Sequence, residues 1–576
     1  MNSYKNNKLL SKLKSDTNVG MCLFAACMVI LSFILFKRCF YGFAHIDEAL
    51  YLQIPYRLVQ GDALFADEWH ISQLSAFIVY PFISLFRTLN GGTEGIMLFF
   101  RIMYVAAQLA ATVVIWFNLK KYSEIGAVIT AFLFYIYVPF GIGALSYNSM
   151  GIIFLSLGLV LFALSENKVA NFIAGIFFAF AVLCCPYLVW IYAIYAVCVL
   201  IKLVFKFNII SEDLVQFKKA IVFTAGIAVA ALAFIIFVFS RITLQQLLQA
   251  LPYIMSDPTH GLLFKDKVWV YFEAILTTNK YTFTMCCGYA VVTLAALVVK
   301  NKKFKDICFL IFAVITALHI YSCAVINAYI NHLMLPVNYL ALFCYLVYRP
   351  TSVKKFFEAI FVPGVIYTIC LHFTSNQTIY AISSAATVAM VGGIVIIVKT
   401  AQERLSEAKI HKKALFICVL LLVFAIQGRY VLHYRWNAVF WDADVNSQTV
   451  LLEEGAYKGI YVTESKQQEY NYYMQEFEKV DGSERVLLLT DSTWAYSLKE
   501  WKVGSFSTWI YGVNDESMEK LDEFYAINPD RMPDTIFVES MYADFADRFE
   551  QKYGYSVYKV TDAGNIVMKN NSINQF

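Results

Sequence analysis

Long apolar runs recur along this chain, and they limit what it can fold into more than any other feature. Thirteen runs are of spanning length, near 20–38, 95–118, 124–143, 147–165, 169–185, 187–205, 218–239, 282–299, 306–324, 331–348, 355–373, 377–398 and 413–433. A helix needs about 20 apolar residues to cross a bilayer. The chain is 59% hydrophobic and 15% charged, with a mean hydropathy of +0.59. We therefore predict an α-helical polytopic membrane protein with about 13 transmembrane helices, not a soluble one.

The charged loops between these runs predict how the chain is threaded. Lysine and arginine are concentrated in residues 120–121, 202–219, 300–305, 349–355 and 399–413, and cytoplasmic loops are rich in these residues. All five loops fall on the cytoplasmic side if the short apolar segment 72–88, which contains Pro81, lies at the outer interface instead of crossing. The N-terminus is then cytoplasmic and the C-terminal region extracytoplasmic, in a multi-pass protein of the plasma membrane.

The region after residue 433 has a different composition and is predicted to be a separate domain. Residues 434–576 hold 24 acidic and 13 basic residues and none of the 13 cysteines. Segments 486–490, 535–539 and 555–560 have the pattern of strands, and segments 515–525 and 543–553 have that of helices. This alternation predicts a transmembrane domain over 1–433 and an extracytoplasmic soluble α/β domain over 434–576.

The first long outer segment, residues 40–94, contains two acidic pairs. Asp47-Glu48 follows the first span directly, and Asp67-Glu68 stands immediately before Trp69 and His70. Carboxylates beside a lipid surface are costly and are typically functional. The alternative is that the pairs only mark the water boundary after a helix.

The second long outer segment, residues 241–281, is predicted to hold a helix and a turn. Residues 244–255 have an amphipathic pattern, and residues 256–261 contain the Asp, Pro and Gly typical of a turn. Lys265 and Lys267 follow. The residues that could carry chemistry therefore gather on the outer side of the predicted membrane.

Several features occur in an order that resembles one family of membrane enzymes. They are Asp47-Glu48 directly after the first span, Asp67-Glu68 ahead of segment 72–88, Arg101 early in the next span, Ser146-Tyr147-Asn148 at the next outer hairpin, and Asn331-His332-Leu333-Met334-Leu335-Pro336 at the start of a late span. This order is similar to the GT-C superfamily of membrane glycosyltransferases, which includes the protein O-mannosyltransferases and the lipid A aminoarabinose transferase. The resemblance extends over residues 15–350.

The sequence departs from that family at two places. Relatives usually carry a Pro-Pro pair after the second acidic site, where this chain has Ile71-Ser72. Many also carry a lysine before the proline of a middle span, where this chain has Cys184-Cys185-Pro186. Both departures affect the expected contacts to the donor phosphate, and they argue against close kinship with the aminoarabinose enzyme.

The resemblance implies a polyprenyl-phosphate sugar as donor and a hydroxyl of an envelope glycan, lipid or protein as acceptor. Asp47, by its motif position, would be the base that takes the acceptor proton in a one-step, inverting displacement. The residues expected to bind substrate are Glu48, Tyr51, Arg57, Asp67, Glu68, His70, Arg101, Tyr147, Asn148 and His332. Further candidates for the lipid phosphate are Arg241, Lys265, Lys267 and Lys280, with lysine snorkelling at the interface as the alternative.

Neither a cofactor nor a nucleic acid partner is expected. The basic residues of the transmembrane part lie mostly in short loops, as is typical of the cytoplasmic side of a membrane protein. Clustered carboxylates could hold a divalent metal ion, but the transferases that this chain resembles most do not use one. The sequence therefore predicts no metal site, with the lipid-linked sugar as co-substrate and membrane lipids as the surroundings.

The sequence leaves three other functions open. They are a transporter or flippase of lipid-linked glycans, a polymerase or ligase of surface glycans, and a receptor that binds through its C-terminal domain. A transporter is expected to place polar residues at mid-membrane, often on broken helices in repeated halves. Here the predicted spans are nearly free of charge and no internal repeat is visible. A receptor leaves both acidic pairs unexplained, so the transferase is the favoured prediction.

Overall fold

The computed structural model describes residues 21–22, 24–44, 46–255, 264–277, 280–326, 330–374, 378–405, 409–439, 442–480, 484–510 and 513–570. Within these ranges, a bundle of long helices is followed by a mixed β-sheet with helices on it. His45 and the turn predicted over 256–261 lie outside the described residues.

The helices that precede the sheet follow one another with short connections. They are α1 (24–38), α2 (Asp47–Val59), α3 (Ala76–Asn90), α4 (Ile96–Leu119), α5 (Glu124–Ile136), α6 (Tyr147–Leu164), α7 (Lys168–Cys184), α8 (Val189–Phe205), α9 (Phe217–Phe239), α10 (Leu244–Met255), α11 (Phe264–Thr277), α12 (Lys280–Val298), α13 (Lys302–Tyr321), α14 (Leu335–Tyr348), α15 (Val362–Thr374), α16 (Thr378–Leu405) and α17 (Ile410–Asn437).

The predicted fold class is confirmed. Ten helices among the described residues are long and apolar enough to cross a membrane. The three other predicted spans coincide with α1 and with two shorter apolar helices, Lys168–Cys184 and His332–Tyr348. The chain is therefore a multi-pass helical membrane protein with a C-terminal sheet. The number of crossings and the side on which each terminus lies stay predictions.

The two outer segments are largely helical. Segment 72–88 forms a 3₁₀ turn and then α3, whose Phe77 ring packs 5.4 Å from Phe234 and 5.0 Å from Phe237 of α9. The amphipathic helix predicted over 244–255 is α10. Helix α11 follows within the same segment and was not predicted, because its sequence mixes charged and aromatic residues without a clear apolar face.

Small residues allow α7 and α9 to pack backbone against backbone. A Cβ atom on Gly175 would lie 2.0 Å from the carbonyl oxygen of Phe223, and one on Gly226 would lie 2.0 Å from that of Phe172. Any larger side chain would force the two helices apart. Since lipid tails are as apolar as the helices, close packing of this kind is a main source of helix association in membranes.

The C-terminal sheet has the α/β character that the sequence predicted. The strands are β1 (Val450–Leu451), β2 (Tyr461–Val462), β3 (Arg485–Leu489), β4 (Lys502–Val503), β5 (Thr535–Val538), β6 (Tyr555–Val560) and β7 (Ile566–Asn570), and the helices are α18 (Glu464–Glu478), α19 (Asp515–Ile527) and α20 (Ala546–Tyr553). Strands β1 and β2 pair by themselves, and the main sheet has the order β4-β3-β5-β7-β6. Strand β3 is parallel to β4 and β5, and β7 is antiparallel to β5 and β6.

Strand β3 lies between β4 and β5 and is buried on both faces. Leu487 and Leu489 pack with α19 in one apolar cluster, whereas Val486 and Leu488 belong to the cluster that contains Phe477 of α18. Burial on both faces explains why the strand reads as a continuous apolar run. The sequence analysis missed α18, which is largely polar, the two-residue strands β1, β2 and β4, and the strand β7.

The C-terminal region packs directly onto the first outer segment. Phe43 presents its ring to Tyr457, Tyr470 and Trp494, at centroid distances of 4.7, 5.5 and 5.9 Å. The backbone N–H of Tyr461 donates to the carbonyl oxygen of Phe40 at 2.7 Å. The predicted boundary between residues 433 and 434 falls inside α17, which ends at Asn437, and the division into two domains stays a prediction.

Candidate functional site

Asp47 is the first residue of α2, at the boundary that follows the first helix. Its carboxylate has no hydrogen-bond or ion-pair partner within the described ranges, although an acidic residue in the first turn suits the partial positive charge of a helix N-terminus. Burial raises the pKa of Asp47 to about 6. A half-buried carboxylate with a pKa near neutrality can accept a proton from a substrate hydroxyl.

Two tyrosines accompany Asp47. Tyr51 lies one turn further along α2, and its ring packs edge to face on Tyr147 with centroids 5.7 Å apart. Burial, followed by the neighbouring Tyr147 and Asp47, raises the pKa of Tyr51 well above its ordinary value, so its hydroxyl stays a neutral donor. The structure thus brings together three residues that the sequence analysis singled out.

The start of α6 fixes Tyr147 and Asn148 in place. Ser146 caps this helix, because its Oγ accepts from the backbone N–H of Ser149 at 3.1 Å, while the Ser149 hydroxyl accepts from the N–H of Ser146 at 3.0 Å. This capping box sets the direction of the first turn. Asn148 is buried, and its Oδ1 has no hydrogen-bond partner among the described residues.

Sequence reasoning missed the residues that lie behind Tyr147. The Cys185 thiol is 3.8 Å from the carbonyl oxygen of Tyr147 and 3.5 Å from the hydroxyl of Tyr367. The rings of Tyr187 and Tyr367 are 6.1 Å apart. Cys185 and Tyr187 come from the turn between α7 and α8, and Tyr367 comes from α15. No local pattern marks them, because tyrosine and cysteine in apolar runs usually serve packing alone.

Glu48, the neighbour of Asp47 in the chain, is bound to Arg101. The Arg101 Nε donates to Glu48 Oε1 at 2.6 Å, and Nη2 donates to Oε2 at 2.5 Å. Arg101 also donates to the carbonyl oxygens of Cys39, Tyr41 and Gly42, at 3.1, 3.1 and 2.8 Å. Both side chains are buried. The pair therefore joins the end of α1, the start of α2 and α4. Both oxygens of the Glu48 carboxylate are bound to Arg101.

The second acidic pair belongs to a different cluster at the far end of α2. Arg57 donates through Nε to Asp62 at 2.8 Å, through Nη1 to Glu68 at 2.9 Å, and through Nη2 to the carbonyl oxygens of Asp67 and Ser505, at 2.7 and 3.1 Å. Its guanidinium is 1% exposed. Ten residues of helix separate Arg57 from Asp47, about 15 Å along the axis.

Two arginines from the C-terminal region complete this cluster. Arg531 Nε lies 2.7 Å from Asp67 Oδ1, and Arg531 Nη1 lies 3.8 Å from Asp62 Oδ1. Arg485 Nη1 lies 4.0 Å from the same oxygen of Asp62. Three carboxylates thus face three guanidinium groups. Burial and then the Asp62 carboxylate raise the pKa of Asp67, and burial raises that of Glu68.

We expected Arg57, Asp67 and Glu68 to bind substrate, but their contacts in this cluster suggest a structural role instead. Their polar atoms are used by one another and by the arginines of the C-terminal region, so the cluster fastens that region to the outer segment. The sequence could not reveal this, because the bond between Arg531 and Asp67 closes a separation of 464 residues.

The other candidate residues are spread over the structure. His70 Nδ1 lies 2.7 Å from the Ser72 hydroxyl in the turn before α3, and His332 is buried just before α14. Arg241 stacks over the Phe237 ring at 4.4 Å. Lys267 donates to the carbonyl oxygen of Phe373 at 2.8 Å, and Lys280 lies 5.6 Å from the centre of the Tyr281 ring. No contact of theirs with Asp47 is found in the described part of the chain.

The described side chains contain no group of three or more His, Cys, Asp or Glu that could hold a metal ion. The carboxylates of the second cluster face arginines instead, which leaves them few free lone pairs. Independence from metal ions remains a prediction from the sequence.

Comparison with known proteins gives one solved structure to report. No protein-family model matches the sequence, and no curated protein does. The crystal structure of ArnT from Cupriavidus metallidurans bound to undecaprenyl phosphate aligns with 96% of this chain and 98% of its own, at 10% sequence identity and a TM-score of 0.37. At this identity and TM-score the similarity assigns no role to any residue.

Proposed function

We propose that this protein is an inverting glycosyltransferase that moves a sugar from a polyprenyl-phosphate donor to an acceptor hydroxyl on the outer face of the membrane. Its role would be the modification of a cell-envelope glycan, lipid or protein. One observation supports this most strongly. Of the four carboxylates in the two acidic pairs, Glu48, Asp67 and Glu68 are each bound to an arginine, whereas Asp47 has no arginine partner among the described residues.

The difference matters because a guanidinium occupies the lone pairs of the carboxylate that it holds, even where burial raises the pKa of that carboxylate, as at Asp67 and Glu68. Such a carboxylate is less available to accept a proton from a substrate. Asp47 has no such partner among the described residues. Its pKa of about 6 makes Asp47 a stronger base than an ordinary aspartate, and Asp47 is still ionised at neutral pH. It therefore combines the protonation state and the basicity that general-base catalysis requires.

The reaction would proceed in one displacement. The acceptor hydroxyl donates a hydrogen bond to Asp47 while its oxygen attacks the anomeric carbon from the face opposite the phosphate. The new C–O bond forms as the bond between that carbon and the phosphate oxygen breaks, which inverts the anomeric centre. The acceptor proton moves to Asp47, and the polyprenyl phosphate leaves with the bonding electron pair.

The tyrosines beside Asp47 suit the handling of a sugar. The edge-to-face pair of Tyr51 and Tyr147 offers both a hydroxyl donor and an apolar ring face, and sugars present hydroxyl groups and C–H faces in turn. The buried, unsatisfied Oδ1 of Asn148 offers an acceptor on the next residue of α6. These three side chains would orient the donor sugar with its anomeric carbon towards the acceptor.

The test compares Asp47→Asn with a matched control. The purified protein in nanodiscs is incubated with a panel of radiolabelled polyprenyl-phosphate sugars and an envelope extract as acceptor, and the released or transferred sugar is measured. Asp562→Asn makes the same chemical change at an exposed turn. We expect wild type and Asp562→Asn to be active, and Asp47→Asn to lose about 10²–10⁴-fold in rate, the range for a general base, while it still binds the donor.

Two other outcomes are informative. Full activity of a folded Asp47→Asn would overturn the assignment of the base but leave the reaction class intact. A wild-type protein that consumes no donor, yet moves lipid-linked glycan across a bilayer, would instead identify a flippase.

A further inference from the structure

A cleft lined by three arginines opens beside Glu48, at the end of the helix bundle where the C-terminal sheet is attached. Its cavity volume is about 40 Å³. Arg38 comes from the end of α1, Arg101 from α4, and Arg435 from the end of α17. Leu35 and Ile142 are among the apolar residues of its wall.

The charges of this cleft do not balance. Glu48 neutralises Arg101 through the two short hydrogen bonds described above. In the described part of the chain, neither Arg38 nor Arg435 has a carboxylate within 4.0 Å, the limit for an ion pair. One carboxylate therefore faces three guanidinium groups, and two positive charges are left without a counter-ion.

Arg435 shows the imbalance most clearly. Its residue is 5% exposed, and its polar contacts are long, 3.4 Å from Nη1 to the Tyr104 hydroxyl and 3.4 Å from Nη2 to Gln108 Oε1. Its guanidinium also stacks over the Tyr104 ring at 5.0 Å. A buried charge with only neutral partners is costly. An anion in the cleft would remove that cost and shorten the donor distances.

Arg38 is held in place through both of its Nη atoms, while its Nε is left without a partner among the described residues. Its Nη1 donates to the carbonyl oxygen of Tyr41 at 2.7 Å and its Nη2 to that of Ala438 at 2.8 Å, so the side chain bridges the ends of α1 and α17. Its Nε is buried with no hydrogen-bond partner among the described residues. The guanidinium is thus fixed before any ligand arrives, and the N–H of Nε remains to be satisfied.

We infer that this cleft binds the phosphate group of a membrane lipid, with Arg38 and Arg435 as its ligands. Guanidinium groups match the geometry of phosphate oxygens and stay charged when buried. The apolar wall and the position at the ends of membrane helices suit a phosphate that carries a hydrocarbon tail. Because Glu48 links the cleft to the residue next to Asp47, a donor phosphate bound there would lie beside the proposed base. That last step, unlike the binding itself, rests on the proposed function.

The cleft also accounts for the departures of the sequence from the family pattern. Where relatives usually carry a Pro-Pro pair, this chain has Ile71-Ser72, and where many carry a lysine before a proline, it has Cys184-Cys185-Pro186, so no cation stands at either place. Arginines at the ends of α1 and α17 would supply the missing positive charge from a different side. Glu48 and Arg101 would then act as positioning residues that hold α2 against the cleft.

The experiment measures lipid binding without turnover. Full-length protein in detergent is titrated with radiolabelled short-chain polyprenyl phosphate, with the uncharged polyprenol, phosphatidic acid and inorganic phosphate as competitors. Arg38→Gln and Arg435→Gln each remove one charge from the cleft. Arg429→Gln is the matched control, because Arg429 is exposed on the same helix as Arg435. Thermal unfolding is recorded for every variant with and without the lipid.

We expect wild type and Arg429→Gln to bind polyprenyl phosphate at least tenfold more tightly than polyprenol, and each cleft variant to lose about tenfold. Without lipid, Arg435→Gln should melt no lower than wild type, because it removes an uncompensated charge, yet the lipid should no longer raise its melting temperature. Equal competition by phosphatidic acid would support a lipid-phosphate site and identify the phospholipid headgroup as its source.

Two results would overturn the inference. One is unchanged binding by folded Arg38→Gln and Arg435→Gln. The other is inorganic phosphate that binds as tightly as the lipid, which would leave a free-anion site only. Neither result depends on sugar transfer, so the inference can fail while the transferase stands. Conversely, arginine-dependent binding without any sugar release would support the cleft and count against the proposed function.

Discussion

Arg101 donates two hydrogen bonds to Glu48, of 2.6 and 2.5 Å. Asp47, the residue directly before Glu48, has no arginine or lysine partner within the described ranges. Two adjacent acids thus lie in different surroundings. Glu48 is bound to a cation, whereas burial destabilises the ionised form of Asp47. This contrast leads to the first two predictions below.

Removal of the Arg101 side chain should destabilise the protein. Arg101→Met leaves the Glu48 carboxylate, which is 2% exposed, without its cation, and breaking one side of a buried ion pair typically costs about 3–5 kcal/mol. The control is Lys458→Met, because Lys458 and Glu94 form an exposed pair worth less than about 1 kcal/mol. Thermal unfolding in detergent measures both. The double variant with Glu48→Gln should recover part of the loss, and equal melting of Arg101→Met and wild type would contradict this reading.

Asp47→Asn should stabilise the protein, and only at higher pH. The folded-state pKa of about 6 lies above the unfolded value near 3.8, so ionisation of Asp47 opposes folding. This destabilisation is fully present above pH 6, declines as the pH falls from 6 towards 4, and is absent below that. The shift corresponds to at most about 3 kcal/mol. Melting curves of Asp47→Asn and wild type should therefore converge at low pH, while Asp562→Asn should show no such dependence.

The same pKa sets the pH dependence of the proposed reaction. The base must be ionised, so kcat/KM should be constant above pH 6 and fall about tenfold per unit below it. Initial rates between pH 4.5 and 8 with one fixed donor provide the measurement. A rate that increases as the pH falls through 6 would be incompatible with Asp47 as the base.

Arg57→Met should loosen the attachment of the C-terminal region. The substitution leaves Asp62 and Glu68 buried without their main cation, with an expected loss of about 3–5 kcal/mol. Limited proteolysis should then cut residues 442–570 faster than in wild type. The control Arg87→Met breaks a half-exposed pair with Glu500 and should have little effect. If Arg57 instead served substrate alone, proteolysis would be unchanged and only donor binding would weaken.

Gly175→Ala should disrupt the packing of α7 on α9. The added Cβ would meet the backbone oxygen of Phe223 at 2.0 Å, which only a movement of the helices can relieve. Gly92→Ala is the matched control, because a Cβ at Gly92 meets nothing within 4 Å and its φ is not in the left-handed region. Detergent-solubilised Gly175→Ala should melt lower or express poorly, and Gly92→Ala should resemble wild type.

Much of the fold could be predicted from local patterns. The predicted spans coincide with helices because a membrane helix must satisfy its backbone within the segment and face lipid with apolar side chains, and both demands are visible in about 20 consecutive residues. Strands β3, β5 and β6 were predicted because each is a short segment with the residue pattern of a strand. The sequences of helix α11 and the two-residue strand β4 have weaker local patterns, and tertiary contacts determine that these segments form a helix and a strand.

The sequence by itself determined that this is a multi-pass helical protein and that its acidic pairs follow the first helix. Only the tertiary structure decided which of those acids is bound to a cation. The partners lie far apart in the chain, 53 residues for Arg101 and Glu48 and 464 for Arg531 and Asp67. Likewise, Arg38 and Arg435 of the cleft come from the first and last helices of the bundle. A local pattern fixes how a segment folds, but the state of a charged group depends on every charge that folding brings within a few ångströms of it.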